Sequence, residues 1–212
     1  MRIPLILAAL LLGTSFLQAG TLQFPEHNFS IELPAGWTDI KPLPPQTLIA
    51  SQSADNSRRI LVSAVQLPDR ERETGAADIR AGAKHSLGDM GWTFDPERPL
   101  SINGVPFVAF NSHAPAGKAG GMMTSYTTAA GVEVYMLQTI GRAQTDTDPE
   151  LQSIIQSFRL IKPAEIHQLD QRSNTSAAYR LGYLAGRFAF LLAIPVAILV
   201  IWLVSRGKAR RS

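Results

Sequence analysis

The stretch Phe29-Ser30-Ile31-Glu32-Leu33-Pro34-Ala35-Gly36-Trp37 decides how the fold is read. Phe29, Ile31 and Leu33 alternate with Ser30 and Glu32, the period of two that marks a half-buried strand, because successive side chains leave opposite faces. Pro34-Ala35-Gly36 then ends the strand in a turn. Trp37 follows, and with Trp92 it is expected in the core or at its edge. Outward from here, Pro42, Pro44 and Pro45 predict irregular chain. Residues 47–51 and 60–67 read as two strands joined by the turn Ala54-Asp55-Asn56-Ser57.

The period then changes. Ala76, Ile79, Ala83, Leu87 and Met90 recur at spacings of three and four, which places one apolar stripe on a helix. Thr74 is expected to cap its start and Gly91 to end it, with Asp78, Arg80, Lys84 and Asp89 on the opposite face. Strand signals resume at residues 100–110, where Asn103-Gly104 suits a hairpin turn with two positive φ angles. A glycine-rich loop, residues 114–121, leads to a second hairpin, residues 122–128 and 132–140, around Ala129-Ala130-Gly131. Asp148 and Pro149 are expected to cap and open a second helix whose apolar face is Leu151, Ile154, Ile155 and Phe158. Two helices and six or seven strands, mostly joined by hairpins, predict an α+β fold: an antiparallel β-sheet covered by two helices.

The motif at residues 29–37, a short strand followed by Pro-x-Gly-Trp, resembles the opening of PsbP-like domains, which include the bacterial DcrB-like group. The ending resembles them too: a hairpin, a helix, then a closing strand with Ser157-Phe158-Arg159-Leu160. The resemblance covers residues 22–161. It implies a sandwich built on an antiparallel sheet, and a binding or assembly role instead of catalysis. It transfers no binding residue. A C-terminal membrane helix departs from the usual family pattern.

An apolar run lies near each end of the chain. Arg2, an apolar core over residues 3–12 and the small-residue exit Ala19-Gly20 predict a signal peptide over residues 1–19. No cysteine is present, so no N-terminal lipid is expected. Residues 188–204 carry no charge; with Leu184, Ala185 and Gly186 they predict a transmembrane helix over 184–204. Arg206, Lys208, Arg210 and Arg211 make a basic tail, residues 205–212, expected in the cytoplasm. The expected organisation is therefore an extracytoplasmic domain at 20–161, a juxtamembrane tether at 162–183, and a single-pass anchor in the cell membrane. A periplasmic, bacterial setting fits best.

The basic balance of the whole chain misleads. Of 20 Lys and Arg, seven lie in the signal or around the anchor, leaving 13 against 17 acids and a net charge of −4 for the exported part. That excludes a nucleic-acid surface, which needs clustered positive charge.

Catalytic and metal chemistry find little support. His27, His85, His113 and His167 show no ligand spacing and there is no cysteine to join them. Asp146-Thr147-Asp148-Pro149-Glu150 lacks the glycine and glutamate of a calcium loop and reads as helix capping. Gly117-Lys118 lacks the earlier glycine and following Ser or Thr of a phosphate loop. No catalytic, cofactor or metal residue is assigned. The sharper pattern lies at the anchor. Ala185, Ala189, Ala193 and Ala197 recur every four residues beside Gly182 and Gly186, and such small residues let a second helix approach closely. They are candidates for pairing with a membrane partner or with a second copy. The leading expectation is a non-enzymatic, membrane-tethered binding or assembly module. Its rival is an envelope hydrolase or small-molecule binder using a groove between sheet and helices, and a third possibility makes the domain a sensor for the anchor.

Overall fold

The alternation at residues 29–33 pairs at once with the strand before it. β1 (Gly20–Phe24) and β2 (Phe29–Leu33) form an antiparallel hairpin around a single turn in which Asn28 has a φ of 51°. In β2, Phe29, Ile31 and Leu33 are buried and Glu32 is exposed, as its period predicts. The elements that follow are β3 (Thr38–Asp39), β4 (Thr47–Gln52), β5 (Arg58–Gln66), α1 (Arg72–Asp89), β6 (Thr93–Phe94), β7 (Arg98–Ile102), β8 (Val105–His113), β9 (Met122–Ala130), β10 (Glu133–Gly141), α2 (Pro149–Gln156), β11 (Arg159–Leu160) and α3 (Ala177–Ala193). This computed structural model describes residues 20–44, 46–115, 121–142, 144–167 and 177–193. The expected signal peptide, the centre of the 114–121 loop, residues 168–176 of the expected tether, and residues 194–212 with the basic tail lie outside the described residues.

The fold is α+β with antiparallel sheets, but two corrections apply. One sheet was expected and two are present among the described residues: eight strands in the order β3-β4-β5-β10-β9-β8-β6, with β7 also on β8, and a three-stranded sheet β1-β2-β11. Two helices and a transmembrane helix from residue 184 were expected; among the described residues the third helix begins earlier, at Ala177, and packs on α1. The extra strands β3 and β6 have two residues each, too few to show a period, and β11, equally short, is the closing strand that the resemblance implied.

Alternation divides the large sheet between two cores. Ile60, Val62 and Ala64 of β5, Tyr135 and Leu137 of β10, and Phe107 and Ala109 of β8 meet β2 and α2. Leu61 and Val65 of β5, Met123 and Ala129 of β9, and Val134, Met136 and Ile140 of β10 face the other way, toward α1 and α3. Three layers result: two helices, the large sheet, and the small sheet with α2. Asn103 and Gly104 have φ angles of 49° and 81°, the conformation expected for the β7–β8 hairpin.

α1 begins earlier than expected. Thr74 lies inside it, and a turn at Asp69–Glu71 feeds its start with no side-chain cap. Its end follows expectation. Gly91 takes a φ of 83°, Trp92 N–H donates to the Leu87 carbonyl at 3.1 Å and Gly91 N–H to that of Gly88 at 2.9 Å, the paired bonds of a Schellman cap. The face opposite its apolar stripe is not solvated as expected: Asp78 and Arg80 are 0% and 1% exposed. α1 is covered on more than one side, and Arg80 and Lys84 reach Glu97 at 3.2 and 2.8 Å.

α2 starts as the sequence predicts. The Asp148 carboxylate accepts from Glu150 N–H and Leu151 N–H, each at 3.1 Å, with Pro149 at the first helical position. Arg58 holds the same carboxylate at 2.7 Å. Asp148→Ala is therefore expected to lower unfolding stability by about 1–2 kcal/mol, the usual worth of a cap. Urea denaturation checks it, and an unchanged midpoint would show that the cap is redundant.

Candidate functional site

A helix interior normally excludes glycine, which costs about 1 kcal/mol there relative to alanine. Here α1 and α3 each carry glycines where their backbones meet. A β-carbon on Gly82 would overlap the Tyr179 carbonyl oxygen and lie 2.7 Å from the Tyr183 nitrogen. One on Gly182 would overlap the Ile79 carbonyl oxygen, and one on Gly186 would lie 2.8 Å from that of Ala83 and 3.1 Å from the Ser86 β-carbon. The seam is a small-residue helix crossing of the kind that lets two backbones touch. Polar groups fasten its edge. His85 Nδ1 is hydrogen-bonded to the Tyr179 hydroxyl, Tyr183 donates to Asp89 at 3.1 Å, and the His85 and Tyr183 rings meet edge to face at 5.5 Å. At the start of α3, Ala178 N–H donates to Glu71 at 3.3 Å.

The helix-pairing candidates can now be located. Gly182 and Gly186 are buried against α1 of the same chain, and Ala185 lines a groove beside it. Ala189 and Ala193 lie on the last turns of α3, and Ala197 is outside the described residues. Sequence reading missed the other half of the seam, Gly82. Its signal was present: a glycine inside an otherwise periodic helix marks a close approach.

Beside the seam, Gln46, Ser63, Val65, Val134, Met136 and Leu184 contribute to a mostly apolar groove of about 80 Å³. Ligand pockets for drug-sized molecules run to several hundred Å³, so this one is small. Leu184 at its mouth is 48% exposed.

At the end of β8, His113 Nε2 lies 3.1 Å from Asp95 Oδ1. Asn111 donates from one amide nitrogen to Asp95 and to Asp146, both at 3.1 Å, and Thr124 donates to the Asn111 oxygen at 2.9 Å. The His113 and Asn111 bonds hold the Asp95 carboxyl below the usual range. This orients an acid–base pair, but Ser112 is buried on the opposite face of the strand. Among the described residues no Ser, Thr or Cys hydrogen-bonds the His113 ring. His27 pairs with the buried Glu133 at 2.7 Å, and His167 bridges Glu73 at 3.1 Å and the Gly131 carbonyl at 2.7 Å. The four histidines thus sit apart, and no group of three metal-ligating side chains occurs among the described residues.

Solved structures similar to this chain are known. A crystal structure from Bacteroides thetaiotaomicron matches with a TM-score of 0.50 at 13% identity, over 69% of this chain and 50% of that one, so the chain spans half the length of that neighbour. The solution structure of cyanobacterial PsbP (CyanoP) from Synechocystis matches with a TM-score of 0.49 at 11% identity, over 70% of this chain and 95% of that one. No family model and no curated protein sequence matches. The Bacteroides likeness concerns the fold alone, and neither match assigns a residue a role.

One titration is expected to register in stability. Burial pushes the Glu97 carboxyl up, but hydrogen bonding to Lys84 and the charge of Arg80 outweigh it and leave the group below its usual range. A depressed folded-state pKa contributes stability that is complete above the unfolded value near 4 and is lost as pH falls through the folded value. The thermal midpoint should therefore drop below about pH 4, and Glu97→Gln should flatten that drop while lowering the plateau. An unaltered acid limb in the variant would show that Glu97 contributes nothing to it.

Proposed function

We propose that the chain is a non-enzymatic, membrane-anchored binding or assembly module of the bacterial envelope, with a PsbP-like domain held outside the cytoplasm. The observation that carries this reading is the glycine seam. α3, the helix that leads into the uncharged residues 188–204, is built into the folded domain through Gly82, Gly182 and Gly186. A domain fixed to its own anchor presents its surface at a defined place, which raises its effective concentration toward membrane partners. The resemblance of residues 29–37 and 157–160 to PsbP-like domains supports the same role. Among the described residues no helix is long and apolar enough to cross a membrane; of the expected span only its beginning, to Ala193, lies among them, so the anchor is part of the proposal. Pairing with a membrane partner or a second copy is proposed for Ala189, Ala193 and Ala197, because Gly182 and Gly186 already meet α1.

The rival, a hydrolase or small-molecule binder, would use the groove or the Asp95–His113 pair. The small volume of the groove favours the binding module.

The test is fractionation followed by crosslinking. The full chain should stay in membranes after alkaline extraction, and a chain ending at Arg187 should be soluble. Release of the full chain by alkali would overturn the anchor. Crosslinking in intact membranes should then capture a discrete partner with the full chain. Capture of none would remove the assembly role.

A further inference from the structure

We infer that the domain stands directly on the bilayer, with the end that carries the C terminus of α1 against the lipid headgroups and the β9–β10 turn farthest from them. The inference rests on the anchoring proposed above and adds an orientation to it.

Three observations carry it. The first is direction. Successive contacts run the same way along both helices, from Glu71 with Ala178, through Ile79 with Gly182, to Ala83 and Ser86 with Gly186. α1 and α3 are parallel, and α3 leaves the domain where α1 stops. The second is length. After Ser86, α1 has three residues left, ending at Asp89, about 5 Å of helix, whereas α3 has seven left after Gly186, about 10 Å. The uncharged stretch 188–204 thus begins at the level of the last turn of α1, with exposed Arg187 just before it. Gly186 is buried against α1 and cannot also face lipid, so about 17 residues remain to cross, the lower end of the spanning range. That leaves no slack to hold the domain away from the surface. The third is the docking of the chain before α3. Gly131 N–H donates to Glu165 at 2.8 Å and His167 N–H to Ala129 at 3.1 Å, so residues 165–167 are tied to the far end of the sheet.

Nine-residue strands separate the two ends by about 27 Å. Arg142 and Asp55, both exposed, mark the end near the α1 C terminus. Val132 and Glu165 mark the other. The absence of cysteine makes single labels simple. Full-length Arg142→Cys, Asp55→Cys, Val132→Cys and Glu165→Cys chains, each with one fluorophore, would be reconstituted in phosphatidylcholine–phosphatidylglycerol vesicles containing headgroup nitroxide lipid. Labels at 142 and 55 should lose at least half their fluorescence, and those at 132 and 165 should be unaffected. A ten-residue Gly-Ser insertion after Arg187 should abolish that difference while vesicle flotation persists. Equal quenching at both ends, the reverse order, or no quenching in chains that float would overturn the orientation and leave the anchor standing. Failure to float would overturn both.

Discussion

Replacing Gly182 by alanine is expected to destabilise the chain by about 2–3 kcal/mol, although alanine is the better helix former by about 1 kcal/mol. The sign follows from what the new methyl meets. At Gly182 it would overlap the Ile79 carbonyl oxygen and lie 2.7 Å from the Ile79 α-carbon, and both are backbone atoms of a helix pinned to the sheet. No rotamer change relieves such a contact, so the helices must part along the seam. Gly82→Ala should behave alike, because it would overlap the Tyr179 carbonyl. The contrast is Gly88, whose added β-carbon would find Phe94 at 3.9 Å, ordinary van der Waals contact. Gly88→Ala should be neutral or stabilising by up to about 1 kcal/mol. Denaturation of the three variants in detergent decides the matter. If all three shift together, propensity governs and the seam is not tight. If the first two fall while the third holds, close approach is the reason for glycine.

Such close approach explains which parts of the molecule were legible beforehand. β2, the Asn103-Gly104 hairpin and the Asp148-Pro149 start of α2 carry local signals: a period of two, two adjacent residues that tolerate positive φ, and a carboxylate that caps the next turn, so a few adjacent residues declare them. The stripe from Ala76 to Leu87 was equally plain and every member is buried. What could not be read is whatever depends on a distant segment. Asp78 and Arg80 look like a solvated face until Glu97 and a second helix are brought beside them. Residues 162–167 read as polar tether, yet Lys162 N–H donates to the Asn28 side chain at 2.8 Å and the Asn28 amide donates to the Lys162 carbonyl at 3.0 Å. One asparagine far back in sequence closes that pair, and no local pattern announces it. The candidate site divides in the same way. The small-residue pattern at Gly182 and Gly186 was visible, while its partner inside the same chain was not.

Phe158→Ala is expected to cost about 3–5 kcal/mol, a large share of the 5–15 kcal/mol that holds a domain of this size. Phe158 is fully buried between α2 and β11, where its ring stacks on Phe29 at 5.6 Å and meets Phe107 and Tyr135 edge to face at 5.5 and 5.6 Å. Phe29 belongs to the small sheet, and Phe107 and Tyr135 to the large one. The ring is thus the point where both sheets and α2 share one core, and deleting it leaves a void walled by rigid aromatic rings that cannot close it. The main-chain route to α3 begins beside it: Ile161 N–H donates to the Asn28 carbonyl at 3.1 Å, next to Phe29. Loosening Phe158 should therefore also free residues 162–167, which Gly182→Ala should leave docked. Hydrogen exchange distinguishes the two. Faster exchange at Gly131 and His167 in Phe158→Ala alone would mean that the aromatic cluster fixes the path of the chain toward α3. Equal rates in both variants would mean that the α1–α3 seam fixes it, and a stability loss below about 1 kcal/mol would mean that the cluster is not the joint between the layers.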